Sequence, residues 1–364
     1  MTTTFKLGAK IIGKNTEPFI IAEAGINHNG EIELAKKMIA TAKEAGADAV
    51  KFQTFRTEEF IQDKSELYTY QSQGKEVTES QYEMFKRTEF SEEAWREIKR
   101  FCEEQEIIFL STPVSVEDVR FLMGLGVEAI KVGSDDFVNI PLIKKYARFH
   151  LPIILSSGMA TEKEIRTSLK AVGAGKENPV CLMLCTSEYP TPAEDVNAKK
   201  LLTLAKQFPE VVLGLSDHTQ GSTAAVVAAA LGAVVFEKHF TLDHNLPGPD
   251  HWFSADPGEL KEWTEGIRTA VKMLGSGELK PTETEKAQRK VMHRSVTALM
   301  DIKAGERFTE ENLGLLRPGD GIGPMEWERI IGCKAKVKIK KGQKLVWEDI
   351  DESGRISKIV YTAD

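Results

Sequence analysis

The sequence predicts an α/β protein in which a (β/α)₈ TIM barrel precedes a small β-rich domain, and three observations lead to this prediction. Eight apolar, β-branched runs recur in the first part of the chain. Amphipathic helical patterns such as EIELAKKMIATAKEAG separate these runs, as in a parallel sheet that is covered by helices. Eight such units over roughly 250 residues are the size of a (β/α)₈ barrel. The third observation is a short motif that occurs twice near the C-terminus.

The eight predicted barrel strands can be read directly from the sequence. An open, doubly wound sheet is the alternative, but no run is followed by the glycine-rich loop with which such sheets bind dinucleotides. In chain order the runs are PFIIAEAGIN, DAVKFQT, IIFLSTP, AIKVGSDD, PIILSSG, VCLMLCTSEYP, VVLGLSDHT and AVVFEKHF.

The barrel pattern stops at the polar, charged stretch GSGELKPTETEKAQRKVMH, which we interpret as a partly helical linker. The related motifs IKAGERFTEENL and IKKGQKLVWEDI follow it. Two similar turns would explain an isolated repeat of the motif. Because both copies lie within one short, separately linked segment, we predict a β-rich domain with pseudo-symmetric halves. The expected boundaries are residues 1–274 for the barrel, 275–293 for the linker and 294–364 for the C-terminal domain.

Composition narrows the class of protein. The chain has a formal net charge of −7 and a pI near 5.7, so it has no general attraction for nucleic acid or for an anionic membrane. Of its four cysteines, Cys181 and Cys185 share one face of a strand but lie roughly 13 Å apart, too far for a disulfide. The N-terminus lacks the apolar core of a signal peptide, and no stretch is long enough to span a bilayer. We therefore expect a reduced, cytoplasmic protein.

Every predicted strand changes from apolar to polar at its C-terminal end, where (β/α)₈ barrels carry their active sites. A purely structural barrel has no need for this change, because a buried polar group costs free energy unless it is paired. The polar residues, strand by strand, are Glu23, Asn27 and His28; Lys51 and Gln53; Ser111 and Thr112; Lys131, Ser134, Asp135 and Asp136; Ser156 and Ser157; Thr186, Ser187, Glu188 and Tyr189; Ser216, Asp217 and His218; and Glu237, Lys238 and His239.

Two of these polar residues are candidate metal ligands. A single histidine at a strand end is usually a hydrogen-bonded structural group. His218 and His239, however, end successive strands, and neighbouring strands lie about 4.8 Å apart, so both imidazoles can reach one ion. His28 is a weaker candidate ligand. The pair predicts a metal site at this end of the barrel.

Two lysines, Lys51 and Lys131, lie inside strands that should be buried on both faces. Their partners are either carboxylates within the barrel or a small bound anion. Hydroxyl groups that follow nearby strands favour a dianionic or trianionic ligand, since charge-assisted hydrogen bonds to a phosphate are strong. Glu23 either pairs with one of these lysines or acts as a general base, and the residues alone leave both roles open.

Ten short motifs carry a family resemblance that extends from about residue 17 to about residue 350. They are IAEAGINHNG, DAVKFQT, LSTP, KVGSDD, ILSSGM, CTSEYPTP, GLSDHT, EKHFTLD, PGPDH and LRPGDGI. With these motifs the chain resembles the sialic acid synthase family, which makes N-acetylneuraminate and related nonulosonic acids. The C-terminal segment resembles the antifreeze-like (SAF) domain of these synthases, a β-clip fold.

The resemblance implies an enzyme that condenses phosphoenolpyruvate with N-acetylmannosamine or a related 2-acetamido hexose, with release of phosphate by C–O cleavage. It implies a divalent metal on His218 and His239, usually Mn²⁺, with Mg²⁺ or Co²⁺ as alternatives, and an acid/base role for Glu23. The phosphoenolpyruvate-binding residues implied are Lys51, Thr112, Lys131, Ser134, Ser156, Ser187 and Ser216. The implied sugar-binding residues are Asp136, Tyr189, Asp250 and Arg317.

Two departures from the family pattern leave the acceptor sugar open. Asp135 and Asp136 stand where neuraminate-making members often have Gly-Glu, and Ser187 stands where many have Asn. A 2,4-diacetamido-2,4,6-trideoxy hexose, the precursor of legionaminic acid, is therefore an alternative acceptor, whereas PGPDH argues against the pseudaminic branch.

Other classes of protein fit the strand ends less well. A metal-dependent aldolase or a synthase acting on a phosphorylated acceptor would favour arginines there, and no strand end carries one. A non-catalytic binding module would have lost the two histidines. The resemblance also implies a domain-swapped homodimer, in which Arg317 of one chain completes the active site of the other. Without the resemblance, Arg317 would be read as a solvated charge on a turn-rich loop.

Overall fold

A computed structural model describes residues 4–354 of the chain. Contacts divide the chain into two compact units, Met1–Gly275 and Ser276–Asp364. Residues 355–364 of the predicted C-terminal domain lie outside the described residues. Among the described helices, none combines the length and the apolar character needed to cross a membrane.

The eight predicted runs form one sheet of eight parallel strands. Except for strands 3 and 4, each strand pairs with its neighbour in chain order, and strand 8 pairs with strand 1. Strands 3 and 4 lie side by side and close the sheet, so the predicted (β/α)₈ barrel is confirmed. Barrel strands 1 to 8 are Phe19–Gly25, Ala49–Thr54, Ile108–Pro113, Ile130–Val132, Ile153–Ser156, Val180–Cys185, Val212–Asp217 and Val235–His239.

Helices follow the barrel strands along the chain, and several begin at a capping box. The side chains of Ser115, Thr161 and Asp256 each accept a hydrogen bond from a backbone N–H of the first turn. An acidic side chain of that turn in return accepts a hydrogen bond from the backbone N–H of the capping residue. This exchange satisfies backbone donors that the helix itself leaves free. The main helices are Ile32–Glu44, Glu92–Glu104, Val116–Gly124, Ile140–Ala147, Glu162–Ala171, Lys200–Gln207, Thr223–Ala230 and Pro257–Leu274. Shorter helices are Thr57–Phe60, Gln81–Lys86 and Ala193–Val196.

Side chains alternate between the two faces of each barrel strand and so build two apolar cores. On strand 1, Ile20 and Ala22 join the core between sheet and helices, whereas Phe19 and Ile21 join the core inside the barrel. A short N-terminal hairpin, Phe5–Leu7 with Lys10–Ile12, adds apolar side chains to the inner core. The inner core occupies the N-terminal half of the barrel, so polar residues are left to fill the C-terminal half.

A second hairpin, residues 67–80, is inserted after barrel strand 2. Its strands Leu67–Ser72 and Lys75–Ser80 pair in antiparallel fashion. They are joined by Gln73 and Gly74, which both have positive φ, at 52° and 71°. Two consecutive positive φ angles match a type I′ turn, whose twist suits a two-residue hairpin.

The outer face of strands 7 and 8 contains a buried charge network. Asp217 and Lys238 are both almost fully buried, and their charged atoms lie 3.2 Å apart. Asp217 also accepts hydrogen bonds from the indole N–H of Trp263 at 2.8 Å and from the backbone and hydroxyl of Thr219 at 2.9 and 2.8 Å. The network ties the last two barrel strands to the helix Pro257–Leu274, because Trp263 lies on that helix.

The second unit is built from short strands and turns. Ser295–Ala298 pairs with Leu313–Leu316, and Lys334–Ala335 pairs with Ile350–Asp351. The segment predicted as a linker contains the helix Glu283–Met292, which has no buried residue. The remaining elements are the helix Trp327–Ile330 and the 3₁₀ turns Pro324–Glu326, Trp347–Asp349 and Glu352–Gly354.

The repeated motif of the second unit forms two equivalent halves. Ile302 and Ile339, the first residues of the two copies, exchange backbone hydrogen bonds of 2.8 and 2.9 Å. The N–H of Gly305 donates to Ala335 in the other half at 2.7 Å, and the N–H of Gly342 donates to Ala298 at 2.8 Å. Both glycines have positive φ, at 83° and 81°. The predicted pseudo-symmetry is therefore present down to single hydrogen bonds.

The charge network predicts a graded loss of stability. We expect Asp217→Ala to lower the free energy of unfolding by about 3–5 kcal/mol, because it leaves the buried Lys238 charge unpaired. Trp263→Phe, which removes one donor and some packing, should cost about 1–3 kcal/mol. Urea unfolding of the full chain, followed by circular dichroism, measures both. Arg120→Gln, at an exposed ion pair, is the control and should change nothing; equal effects of all three variants would contradict the assignment.

Candidate active site

A cavity of about 740 Å³ lies at the C-terminal ends of the barrel strands. It collects the polar ends of strands that are far apart in the chain. Of the fourteen residues that the sequence assigns to catalysis or binding, twelve line it: Glu23, Lys51, Thr112, Lys131, Ser134, Ser156, Ser187, Tyr189, Ser216, His218, His239 and Asp250.

The floor of the cavity is a buried cluster of two lysines and two carboxylates. The Lys51 ammonium lies 2.9 Å from the Glu23 carboxylate and 3.7 Å from Glu237, and it donates to the Thr112 hydroxyl at 3.0 Å. The Lys131 ammonium lies 3.5 Å from Glu237. Each lysine therefore has a carboxylate partner inside the barrel, which offsets the free-energy cost of burying a polar group.

Serine hydroxyls form a small cradle beside Lys131. The Lys131 ammonium donates to Ser156 at 2.8 Å, and the N–H of Gly158 donates to Ser134 at 3.1 Å. The Ser187 hydroxyl is buried and has no hydrogen-bond partner. A Cβ atom on Gly158 would lie 2.2 Å from the Ser187 oxygen and 2.5 Å from the Ser134 oxygen, so glycine is needed here for both hydroxyls to pack against the backbone. All three serines line the cavity, so the cradle offers hydroxyl donors to an anion bound there.

The two strand-end histidines lie next to each other, with ring centroids 5.6 Å apart. Nδ1 of His218 donates to the carbonyl of Thr186 at 2.8 Å, so Nε2 is the ring atom that could bind a metal. Nδ1 of His239 is buried without a hydrogen-bond partner and lies 4.0 Å from the Asp250 carboxylate. Burial, together with the nearby His218 and Lys51, holds the pKa of His239 well below its usual range. Burial alone would lower the pKa of His218, but its contact with Cys185 raises that pKa above the usual value. Two imidazoles beside carboxylates are a donor set that fits a divalent transition metal, and metal binding at His218 competes with its proton.

Two carboxyl groups in the cavity have raised pKa values. Burial raises the pKa of Glu23 to about 7, although Lys51 opposes the shift. Burial also raises the pKa of Asp250 to about 6, against the opposing charge of His218. A carboxyl group with a pKa near 7 exchanges its proton readily at neutral pH, as a general acid or base must. The structure thus gives Glu23 both the lysine contact and the titration range that the sequence left as alternatives.

Three predicted candidates are not among the residues that line the cavity. His28 is fully buried, stacks on Phe90 with centroids 4.2 Å apart and has its pKa lowered by burial to about 3. Asp136 does not line the cavity, because its carboxylate turns back to accept from the Asn139 side chain at 2.9 Å; Asp135 lines the wall instead. Arg317 belongs to the second unit, where it follows the strand Leu313–Leu316.

Several residues on the cavity wall were not assigned from the sequence. Glu237 was noted only as a polar strand end, yet it contacts both lysines and accepts from Ser216 at 3.4 Å. Its spacing of two residues from His239 placed it on the inward face and could have revealed it. Trp252 and Phe253 line the cavity from the loop after strand 8, and the hairpin 67–80 contributes aromatic side chains. The turn residues Gln73 and Gly74 were the available signal for that hairpin.

A different group, His244, Asp256 and Glu259, brings three potential ligand atoms within 4.8 Å of one another. It lies at the protein surface, and Asp256 and Glu259 form the capping box of the helix Pro257–Leu274. Helix capping explains why Asp256 and Glu259 lie together, and His244 adds a contact of 3.3 Å to Glu259.

Comparisons with known proteins show the family of the chain. The model of the NeuB family matches residues 38–279, and that of the SAF domain matches residues 293–351. The N,N'-diacetyllegionaminic acid synthase of Legionella pneumophila is 41% identical over 94% of this chain and 98% of its own. The human N-acetylneuraminate-9-phosphate synthase is 35% identical over 94% of this chain and 96% of its own.

A solved structure agrees with the family match. The N-acetylneuraminic acid synthetase of Leptospira borgpetersenii, crystallised in complex with citrate, is 35% identical to this chain and superimposes with a TM-score of 0.70. The match covers 79% of this chain and 95% of that one.

The histidine pair predicts where a metal ion binds. We expect His239→Ala to weaken Mn²⁺ binding by at least roughly tenfold, because one of two imidazole ligands is lost. Titration calorimetry with Mn²⁺ measures the affinity, and thermal unfolding checks that the fold survives. The matched control is His244→Ala, at the surface group, which should bind Mn²⁺ as the unaltered protein does. The reverse pattern would assign the ion to the surface group.

Proposed function

Since the chain belongs to the NeuB family and is an enzyme of the sialic acid synthase type, we propose that it condenses phosphoenolpyruvate, an amino sugar and water. C3 of phosphoenolpyruvate forms a bond to the aldehyde carbon of the sugar, and the oxygen of water adds to C2. The C–O bond to the phosphoryl group breaks, so the products are a nonulosonic acid and inorganic phosphate. The observation that carries the proposal is the pair of buried lysines beside a cradle of hydroxyl donors that lines the cavity.

The floor of the cavity is where phosphoenolpyruvate would bind. Its phosphate and carboxylate together carry about three negative charges, which match the two ammonium groups and the hydroxyl donors around them. In the cavity, the cradle beside Lys131 would hold one anionic group, and Lys51 with Thr112 would hold the other. The Leptospira relative was crystallised in complex with citrate, which is itself a multiply charged carboxylate.

The upper part of the cavity would hold the metal and the aldehyde of the sugar. His218 and His239 would hold a divalent ion, most suitably Mn²⁺, with Mg²⁺ or Co²⁺ as alternatives. Such an ion polarises a carbonyl group and lowers the pKa of water. Glu23 lies between Lys51 and the histidine pair, since it is the register partner of both Lys51 and His239. Its carboxyl group can therefore take a proton from the attacking water and return it later in the reaction.

The acceptor we propose is a 2,4-diacetamido-2,4,6-trideoxy hexose, the sugar that leads to legionaminic acid. Two N,N'-diacetyllegionaminic acid synthases, from Legionella pneumophila and Campylobacter jejuni, are each 41% identical to this chain, against 35% for the human enzyme. Asp135, Tyr189 and Asp250 line the wall that would contact the sugar. N-Acetylmannosamine is the alternative acceptor. Because phosphoenolpyruvate is a cytoplasmic metabolite, we place the enzyme in the cytoplasm.

Product formation tests the reaction and the acceptor together. With Mn²⁺, we expect phosphate release from phosphoenolpyruvate to require a sugar and to be faster with the diacetamido sugar than with N-acetylmannosamine. Asp135→Asn should raise the KM for the sugar by roughly fivefold, the effect of one hydrogen bond worth about 1 kcal/mol. Asp136→Asn is the matched control and should leave the KM for the sugar unchanged, since the Asp136 carboxylate faces Asn139. Equal KM values in both variants would place sugar recognition elsewhere.

We also propose that the enzyme is a domain-swapped homodimer in which Arg317 of each chain contacts the sugar in the other chain's barrel. A twofold exchange of this kind builds two equivalent composite sites. The proposal is supported by the position of Arg317 in the LRPGDGI motif of the SAF domain.

Subunit mixing tests this composite site. Arg317→Ala and His239→Ala homodimers should each be nearly inactive. After statistical exchange, half of the dimers are mixed and have one intact site of two, so activity should recover toward about a quarter of the unaltered rate. Native mass spectrometry of differently tagged chains measures the exchange. Complete exchange without recovery of phosphate release would exclude a role of Arg317 in the partner's site.

A further inference from the structure

The hairpin 67–80 forms part of the wall of the active-site cavity and is anchored at both ends. Four consecutive residues of its first strand, Tyr68 to Gln71, line the cavity. At its tip, the Ser72 hydroxyl accepts from the N–H of Gly248 at 3.1 Å, and Gln73 donates to the carbonyl of Asn245 at 2.9 Å. The hairpin therefore reaches from the chain after barrel strand 2 to the loop after barrel strand 8.

Two tyrosines on one face of this hairpin form a stacked pair. Tyr68 and Tyr70 are two residues apart on a strand, and their rings lie 5.9 Å apart with planes inclined by 27°. The Tyr70 hydroxyl donates to Glu79 on the opposite strand. Arg87 donates to both oxygens of Glu79 and to the Tyr70 hydroxyl, the last over 3.3 Å. This brace of Glu79 and Arg87 fixes the ring of Tyr70, and through it the stacked pair.

The aromatic wall and the floor of the cavity differ in chemistry. The floor carries two ammonium groups and serine hydroxyls, whereas the tyrosine pair, with Trp252 and Phe253 on the loop after strand 8, offers ring surfaces. Aromatic faces contact methyl and C–H groups favourably. A sugar hydroxyl pressed against them without a partner costs free energy. Contact with these rings therefore favours a sugar that places methyl groups and not hydroxyls against them, while Thr69, Gln71 and Glu76 of the same hairpin offer polar atoms elsewhere in the cavity.

From this contrast, and resting on the function proposed above, we infer that Tyr68 and Tyr70 are specificity-determining residues that select the acceptor by its apolar substituents. The diacetamido sugar carries an acetamido group at C4 and a methyl group at C6, where N-acetylmannosamine carries hydroxyls. Arg87 and Glu79 are positioning residues, because they act on the sugar only through the Tyr70 ring. Phosphoenolpyruvate, at the floor, is not contacted by the pair.

The test compares steady-state kinetics of Tyr68→Ala with those of the unaltered enzyme, for both sugars and for phosphoenolpyruvate. We expect the kcat/KM for the diacetamido sugar, relative to N-acetylmannosamine, to fall by roughly tenfold, which corresponds to about 1.4 kcal/mol. The KM for phosphoenolpyruvate should stay the same. Tyr68→Phe, which keeps the ring, should restore the ratio. Leu67→Ala is the matched control on the same strand, since Leu67 is exposed and does not line the cavity.

Arg87→Met tests the brace in the same assay. It should raise the KM for the diacetamido sugar and leave the KM for phosphoenolpyruvate unchanged, a split that general loss of structure would not produce. If the unaltered enzyme is active and Tyr68→Ala leaves the ratio of kcat/KM between the two sugars unchanged, the role of the tyrosine pair is overturned and the proposed function is not. An unaltered enzyme that releases no phosphate with either sugar overturns the proposed function itself, and the inference with it.

Discussion

The balance of charge inside the barrel is the constraint on which the rest of the site depends. Lys51 and Lys131 point into a closed barrel, where an unpaired ammonium group would lose its charge or destabilise the fold. Glu237 lies between them and Glu23 contacts Lys51, so the floor contains two positive and two negative groups. An arriving anion then finds cations that are held in place by carboxylates, and no large rearrangement is needed to expose them. One of these carboxylates, Glu23, is also the acid/base candidate, and it lies beside His239 on the neighbouring strand.

The alternation of side chains along each strand explains why floor and core can share one barrel. Inward positions are apolar in the N-terminal half, as at Ile21 and Val235, and polar two residues later, at Glu23 and Glu237. Stability therefore resides at one end of each strand and chemistry at the other. The outward positions of the same strands remain buried against helices, and there the Asp217–Lys238 pair holds the strands that carry the histidines.

Much of this could be predicted from the sequence, because strands buried on both faces read as continuous apolar runs. The hairpin 67–80 could not be found in that way, since its strands are exposed and mostly polar. The choice of Asp136 over Asp135 shows a second limit: barrel strand 4 ends at Val132, and beyond it the two-residue alternation no longer says which carboxylate faces inward. The spacing of Glu237 from His239 predicts an inward side chain, but not its two lysine partners, which lie more than a hundred residues away and are brought to it only by the closed barrel.

Because of the reciprocal hydrogen bonds in the second unit, its two halves depend on each other to fold. Each half closes its glycine turn on the other half, through Gly305 to Ala335 and Gly342 to Ala298, so neither half contains its own complete set of partners. A single copy of the motif would leave these backbone donors and acceptors to water. Two separate copies, however, could satisfy each other without any covalent connection. The two halves of the second unit therefore bind each other as the subunits of a dimer do. Cleavage of the loop between them should yield two fragments that reassociate.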